Sequence, residues 1–164
     1  MKVGIVGGGQ LGRMMALAGY PLGIRCLFLD RSDDTPAAQV APSLVGGLND
    51  VSRLRELAAR SEVLSFDWEN ASVPALREAT RSTHTRIAPP LRALAVAQDR
   101  LKEKRLFDLL RIPTTRYANV ASRAALARAV QRIGLPGVLK TRHLGYDGKG
   151  QRVLRRAADI DTAW

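Results

Sequence analysis

The chain has 164 residues, 46% of them apolar, enough to bury a core in one medium domain or two small ones. No run approaches the roughly 18 to 20 apolar residues needed for a membrane-spanning helix. The formal net charge is +11 and the pI about 11.0, so anionic partners come first to mind.

The charge pattern argues against nucleic acid. Of the 26 basic residues 21 are arginine, scattered and interleaved with acids as in Arg100-Leu101-Lys102-Glu103-Lys104-Arg105 rather than gathered into a tail. A basic field also steers small anions, so charge by itself does not separate a nucleotide from a polymer. The start Met1-Lys2-Val3-Gly4-Ile5 enters a strand pattern without a signal-peptide layout, so a cytoplasmic location is expected, with no membrane partner. Cys26 is the one cysteine, which rules out an internal disulfide, and its place in an apolar run predicts a core filler. His84 and His143 have no metal-ligand spacing with it.

In chain order, Lys2 to Val6 reads as a buried strand, broken by Gly7-Gly8-Gly9 before an apolar-periodic helix from Gln10 to Ala18. Ile24 to Leu29 is a second strand, ending at Asp30, so the opening is a βαβ unit and a doubly wound parallel sheet follows. Asp50 can cap a helix to about Arg60, Glu62 to Phe66 is a strand, and Ser72 caps a helix over Val73 to Thr80. Arg86-Ile87-Ala88 is a short strand stopped by Pro89-Pro90, with a helical turn or two over Leu91 to Ala97. A charged amphipathic helix then spans Gln98 to Leu110, burying Leu101, Leu106, Phe107 and Leu110. The change of character predicts a domain of residues 1–97 and a second over 98–164. Ser122 caps a helix with Leu126, Ala129, Val130 and Ile133 on its apolar side, closed by Gly134. Strands over 137–142 and 151–154 flank a glycine-rich loop, and a final helix starts near Ala157.

Two glycine loops carry the chemistry. In the second, Val138-Leu139-Lys140-Thr141 precedes Gly145-Tyr146-Asp147-Gly148-Lys149-Gly150-Gln151. Glycines leave the backbone free to take positive φ and approach a phosphate, whose charge Lys140 on its strand would meet. Asp147-Gly148 is equally a hairpin turn signal, so a plain turn is the alternative. In the first, Gly7-Gly8-Gly9-Gln10-Leu11-Gly12 fits G-x-G-x-x-G between strand and helix, with Asp30 at the end of the next strand, 18 residues after Gly12. These residues suit an NAD(P)-binding oxidoreductase with Asp30 on the ribose. A glycine turn at a helix N-terminus serves a mononucleotide phosphate as well.

Together with Phe28-Leu29-Asp30, Asp67-Trp68-Glu69-Asn70, Ala97-Gln98-Asp99-Arg100-Leu101 with Lys104, and Ile112-Pro113-Thr114, these stretches resemble the 5-(carboxyamino)imidazole ribonucleotide synthetases of the ATP-grasp superfamily over essentially the whole chain. The resemblance implies a Rossmann-like lobe followed by the first, small α+β lobe of an ATP-grasp fold, with the C-terminal lobe absent and the chain alone inactive. It implies an ATP-dependent carboxylating ligase of purine biosynthesis, acting on 5-aminoimidazole ribonucleotide with bicarbonate through carboxyphosphate. It assigns ATP to Arg100, Lys140 and the loop Gly145, Tyr146, Asp147, Gly148, Lys149, Gly150 and Gln151. Tyr146, Asp147 and Lys149 would meet the intermediate and the amine; Gly9, Gln10, Leu11 and Glu69 would face the ribonucleotide. Mg²⁺, with ligands in the missing part, and a homodimer are also implied. Phe66-Asp67 stands where relatives usually have Tyr-Glu, and Lys149 where many have arginine.

Overall fold

A computed structural model describes residues 1–145 and 148–164. The chain divides into two compact units, Met1–Ala95 and Val96–Trp164. No helix among the described residues is long and apolar enough to cross a membrane.

The first unit is built on a parallel sheet of β1 (Lys2–Val6), β2 (Arg25–Asp30), β3 (Ser43–Val45), β4 (Val63–Phe66) and β5 (Arg86–Ile87), in the order β3-β2-β1-β4-β5. Its helices are α1 (Gln10–Gly19), α2 (Val51–Ala59), α3 (Val73–Thr80) and α4 (Leu91–Ala97), the last running just past the division. Successive side chains of a strand point to opposite faces, and both faces of this sheet are covered. Ile5 and Phe28 pack with Ala16 of α1 and Ala37 on one side; Val6, Leu29 and Leu64 pack with Leu54, Leu57 and Leu76 of α2 and α3 on the other. Cys26 is partly buried beside the first of these clusters, and burial pushes its thiol pKa up.

Local chemistry sets the helix starts. The Asp50 carboxylate accepts from the N–H groups of Ser52 and Arg53 at 2.8 and 3.3 Å, and the Ser72 hydroxyl from Ala75 N–H at 3.2 Å. The second strand sits one residue later than its apolar run suggests, because its register opposite β1 pairs Lys2 with Arg25. Three-residue β3, which follows Pro42, has too little pattern to announce itself.

The second unit holds α5 (Arg100–Leu109), α6 (Arg123–Ile133), the antiparallel hairpin β6 (Gly137–Lys140) and β7 (Gln151–Leu154), and α7 (Asp159–Ala163). Leu126, Leu154 and Ile160 form its small core, with Leu139 and Val130 against it. Helix α5 starts two residues later than the charge pattern suggests, since Asp99 is its N-cap. Only Leu101 of its apolar set is buried; Leu106 and Phe107 are half-buried, and Leu110, at the C-cap, is 57% exposed, correcting the expectation that all four are covered. Amphipathic spacing defines a face but not what lies against it. The last strand pair is shorter than expected at 140, where Arg142 turns toward α5, and α7 begins at Asp159 because its carboxylate holds the N–H groups of Arg155 and Arg156 at 2.8 and 3.0 Å.

Candidate functional site

In the first unit the sheet order reverses at β1, so the C-terminal ends of neighbouring β1 and β4 form a crevice edge of the kind where α/β sheets bind ligands. Gly7 has φ +96, and its N–H donates to Leu29 O at 2.9 Å. The Gly8 N–H donates to Asp30 Oδ2 at 2.6 Å, and Asp30 Oδ1 accepts from Arg31 N–H at 2.6 Å. A Cβ on Gly8 would stand 2.8 Å from Thr35 Oγ1, and one on Gly9 would stand 2.6 Å from Asp67 Oδ2. The glycine turn is thus held between three side chains, and glycine is required there by close approach. Gln10 and Leu11 lie exposed on the first turn of α1, whose N-cap, Gly9, offers no side chain to its N–H groups. Glu69 is exposed beyond β4 and accepts from Asn70 Nδ2 at 3.1 Å. Gly9, Gln10, Leu11 and Glu69 therefore share one sheet edge. The guanidinium of Arg31 lies 5.7 Å over the Trp68 ring at the same edge, a contact the sequence did not announce.

In the second unit Lys140 ends β6 opposite Gln151, with its side chain exposed. The Thr141 N–H donates to Gly150 O at 2.8 Å and extends the ladder by one bond. Gly148 and Gly150 have φ +78 and +69, and a Cβ on Gly150 would stand 2.6 Å from Thr141 Oγ1. The described part of the loop is therefore glycine-dependent at its base. Lys149 is exposed; Tyr146 and Asp147 lie outside the described residues.

Residues 98–100 grip the start of this loop. Asp99 is 2% exposed, and its carboxylate accepts from Leu101 N–H at 3.0 Å and Lys102 N–H at 3.3 Å, capping α5. The same carboxylate takes both arms of the Arg142 guanidinium, Nε at 2.9 Å to Oδ1 and Nη2 to Oδ2. That guanidinium, helped by the two N–H donors, holds the Asp99 carboxyl well below the usual carboxylate range. Arg100 N–H donates to Arg142 O at 3.1 Å; its Nε donates to Thr141 O at 3.1 Å and its Nη2 to Gly145 O. His143 Nδ1 meets Gln98 O at 2.8 Å, and because a carbonyl only accepts, that nitrogen carries the proton. Nothing in the local sequence pairs Asp99 with Arg142, 43 residues away; the one local signal is an aspartate before a charged helix.

Among the described residues no group of three His, Cys, Asp or Glu side chains stands close enough to hold a metal ion. The second unit carries most of the excess charge, fifteen Lys and Arg against six Asp and Glu over residues 96–164.

Residues 1–98 match the ribonucleotide synthetase preATP-grasp domain and residues 105–164 the ATP-grasp domain. Among curated proteins, the N5-carboxyaminoimidazole ribonucleotide synthase of Pseudomonas aeruginosa is 48% identical over 164 residues, all of this chain and 45% of that protein. A crystal structure of an N5-carboxyaminoimidazole ribonucleotide synthetase as its ADP complex matches 99% of this chain and 43% of its own, with TM-score 0.90 and 37% identity. The Aspergillus clavatus synthase in complex with ADP and 5-aminoimidazole ribonucleotide matches with TM-score 0.87 and 28% identity, over 99% of this chain and 42% of that one. The chain spans less than half the length of the relatives it matches. With a five-stranded parallel sheet in one unit, a glycine-loop hairpin in the other, and a family match over well more than half its residues, the chain belongs to the ribonucleotide synthetase preATP-grasp family.

Proposed function

We propose that this chain carries the ribonucleotide-facing lobe and the ATP-phosphate hairpin of a ligase that carboxylates 5-aminoimidazole ribonucleotide in the cytoplasm, as part of purine biosynthesis. The observation that carries the reading is the pairing of Lys140 with a hairpin loop whose glycines take positive φ, within a unit of strongly positive charge. ATP would pass its γ-phosphoryl group to a bicarbonate oxygen, giving carboxyphosphate and ADP. The exocyclic amine of the ribonucleotide then attacks the carboxyl carbon, the C–O bond to phosphate breaks, and the amine loses a proton as inorganic phosphate leaves. Such transfers depend on positioning and on cationic screening of phosphate oxygens. Lys140 would supply the cation and the loop its N–H groups; closure over the phosphates would keep water from the intermediate.

Arg100 would serve ATP through the strand and loop carbonyls it holds, at Thr141 and Gly145, with its remaining N–H groups available toward the nucleotide. Gly145, Gly148, Lys149, Gly150 and Gln151 line the same loop; Tyr146 and Asp147 are assigned by resemblance, with the amine and intermediate as their targets. Gly9, Gln10, Leu11 and Glu69 would face the ribonucleotide, a role supported by their common sheet edge. Mg²⁺ would screen the phosphates with ligands outside this chain. The exposed apolar residues Met14 and Leu17 of α1, at 56% and 52%, support the homodimer implied by the resemblance. Because the chain spans less than half its relatives, the 164 residues alone are proposed to bind nucleotide without turnover.

Calorimetric titration of this chain with the slowly hydrolysed analogue ATPγS tests the reading. Saturable binding, weakened about tenfold or more by Lys140→Ala, is expected; equal affinity in both proteins would remove Lys140 from the phosphate site. Bicarbonate-dependent phosphate release by the purified chain would contradict the proposed lack of turnover.

A further inference from the structure

The charged side chain of Asp99 is the one buried polar residue among the described residues, and helix capping alone does not account for it. Helices α2 and α6 are capped by Asp50 and Ser122, both exposed, so this chain caps helices without burying an acid. Burial takes Asp99 out of water, which costs free energy unless the charge is paired and hydrogen-bonded. Here its oxygens meet two backbone N–H groups and both arms of Arg142. The residues so gripped, together with those Arg100 holds, run from Thr141 to Gly145, between Lys140 and the loop glycines.

A two-stranded hairpin is marginally stable alone, and β6 and β7 have no third strand among the described residues. Catalytic groups need placement within about half an ångström. We propose that Asp99 is a positioning residue for the phosphate loop: by gripping Arg142 while it caps α5, it references Lys140 and the loop entrance to a helix rather than to the hairpin alone. Arg142 is its working partner, and the backbone bond from Arg100 N–H to Arg142 O fixes the register between the two segments. The inference deepens the nucleotide reading above and rests on it for its consequence, though not for its geometry.

Two variants separate the clasp from the cap. Asparagine caps helices about as well as aspartate, so Asp99→Asn loses the ion pair and keeps a cap, while Arg142→Met leaves the carboxylate to α5. Amide hydrogen exchange of the 164-residue chain is the ligand-free readout. The Thr141 N–H, bonded to Gly150 O, should exchange about tenfold or more faster in each variant, with Leu126 and Ala129 in α6 at the wild-type rate. The double variant should be no worse than either single one, the signature of one shared interaction. ATPγS affinity should fall about tenfold or more in parallel. If Thr141 exchanges at the wild-type rate in both single variants, the proposal is overturned, whatever happens to α5. If either variant unfolds the unit, Arg142→Lys decides, since it keeps the charge and loses the fork: faster Thr141 exchange supports the clasp and an unchanged rate overturns it. A wild-type chain that fails to bind ATPγS counts against the nucleotide reading alone, because the exchange measurement needs no ligand.

Discussion

The carboxylate of Asp30 holds the Gly8 N–H at 2.6 Å, across 22 residues of sequence. In the dinucleotide fingerprint an acid at this position faces a ribose. Here one oxygen serves the glycine turn and the other the N–H of Arg31, so the acid braces the turn that joins β1 to α1.

A ribose would have to compete with those two backbone donors. Titration of the chain with NADH, followed by nucleotide fluorescence, should therefore show no saturable micromolar binding. Asp30→Ala should lower the stability of the first unit by about 1 to 3 kcal/mol in urea denaturation, the cost of hydrogen bonds to a charged acceptor. A stability equal to wild type would mean that the brace is idle.

Gly7 and Gly23 both have positive φ, at +96 and +69, but differ in surroundings. A Cβ on Gly7 would stand 3.1 Å from the backbone N of Trp68, whereas one on Gly23 meets nothing within 4 Å. Gly7→Ala should therefore cost about 1 to 3 kcal/mol and clearly more than Gly23→Ala, which carries backbone strain alone. Chemical denaturation of the two variants side by side measures the difference.

Phe28 is fully buried against Ile5 and Ala16, while Leu110 is 57% exposed. Phe28→Ala should destabilise the first unit by about 3 to 5 kcal/mol through lost burial and a residual cavity. Leu110→Ala should stay within about 0.5 kcal/mol in this chain. Thermal melts that reverse this order would refute the placement of the two side chains.

The depressed pKa of Asp99 ties the second unit to pH. A carboxyl whose folded value lies below its unfolded value stabilises the fold above the unfolded value, about 3.9, and that contribution is lost as pH falls. Wild type should thus exceed Asp99→Asn in stability at neutral pH, where Arg142 and the His143 imidazole, its Nε2 3.9 Å from Asp99 Oδ2, face the carboxylate, and the margin should narrow progressively as pH falls below about 4 toward the depressed folded value. A margin that persists unchanged into acid would mean that the ionised form is not what Arg142 recognises.

Much of the scaffold was legible because its causes are local. Strand β1 follows from the apolar run Val3 to Val6 behind Lys2, and α2, α3 and α6 from capping residues next to their starts, and the structure has each where those signals put it. The exposure of Leu110 is not legible in the sequence, because a periodic face says nothing about whether another element covers it. The edge strand β3 gives no sequence signal because three residues carry no period, and its pairing with Phe28, Leu29 and Asp30 is what makes it a strand.

The sequence by itself determined the two glycine loops, the lysine before the second, and the α/β order around them, since glycine content, spacing and periodicity are properties of neighbours in the chain. Only the tertiary structure decided that Asp30 braces its own turn and that Asp99 closes on Arg142. Those partners lie 22 and 43 residues apart, and nothing in either local pattern encodes a contact that exists only once the backbone has brought them together.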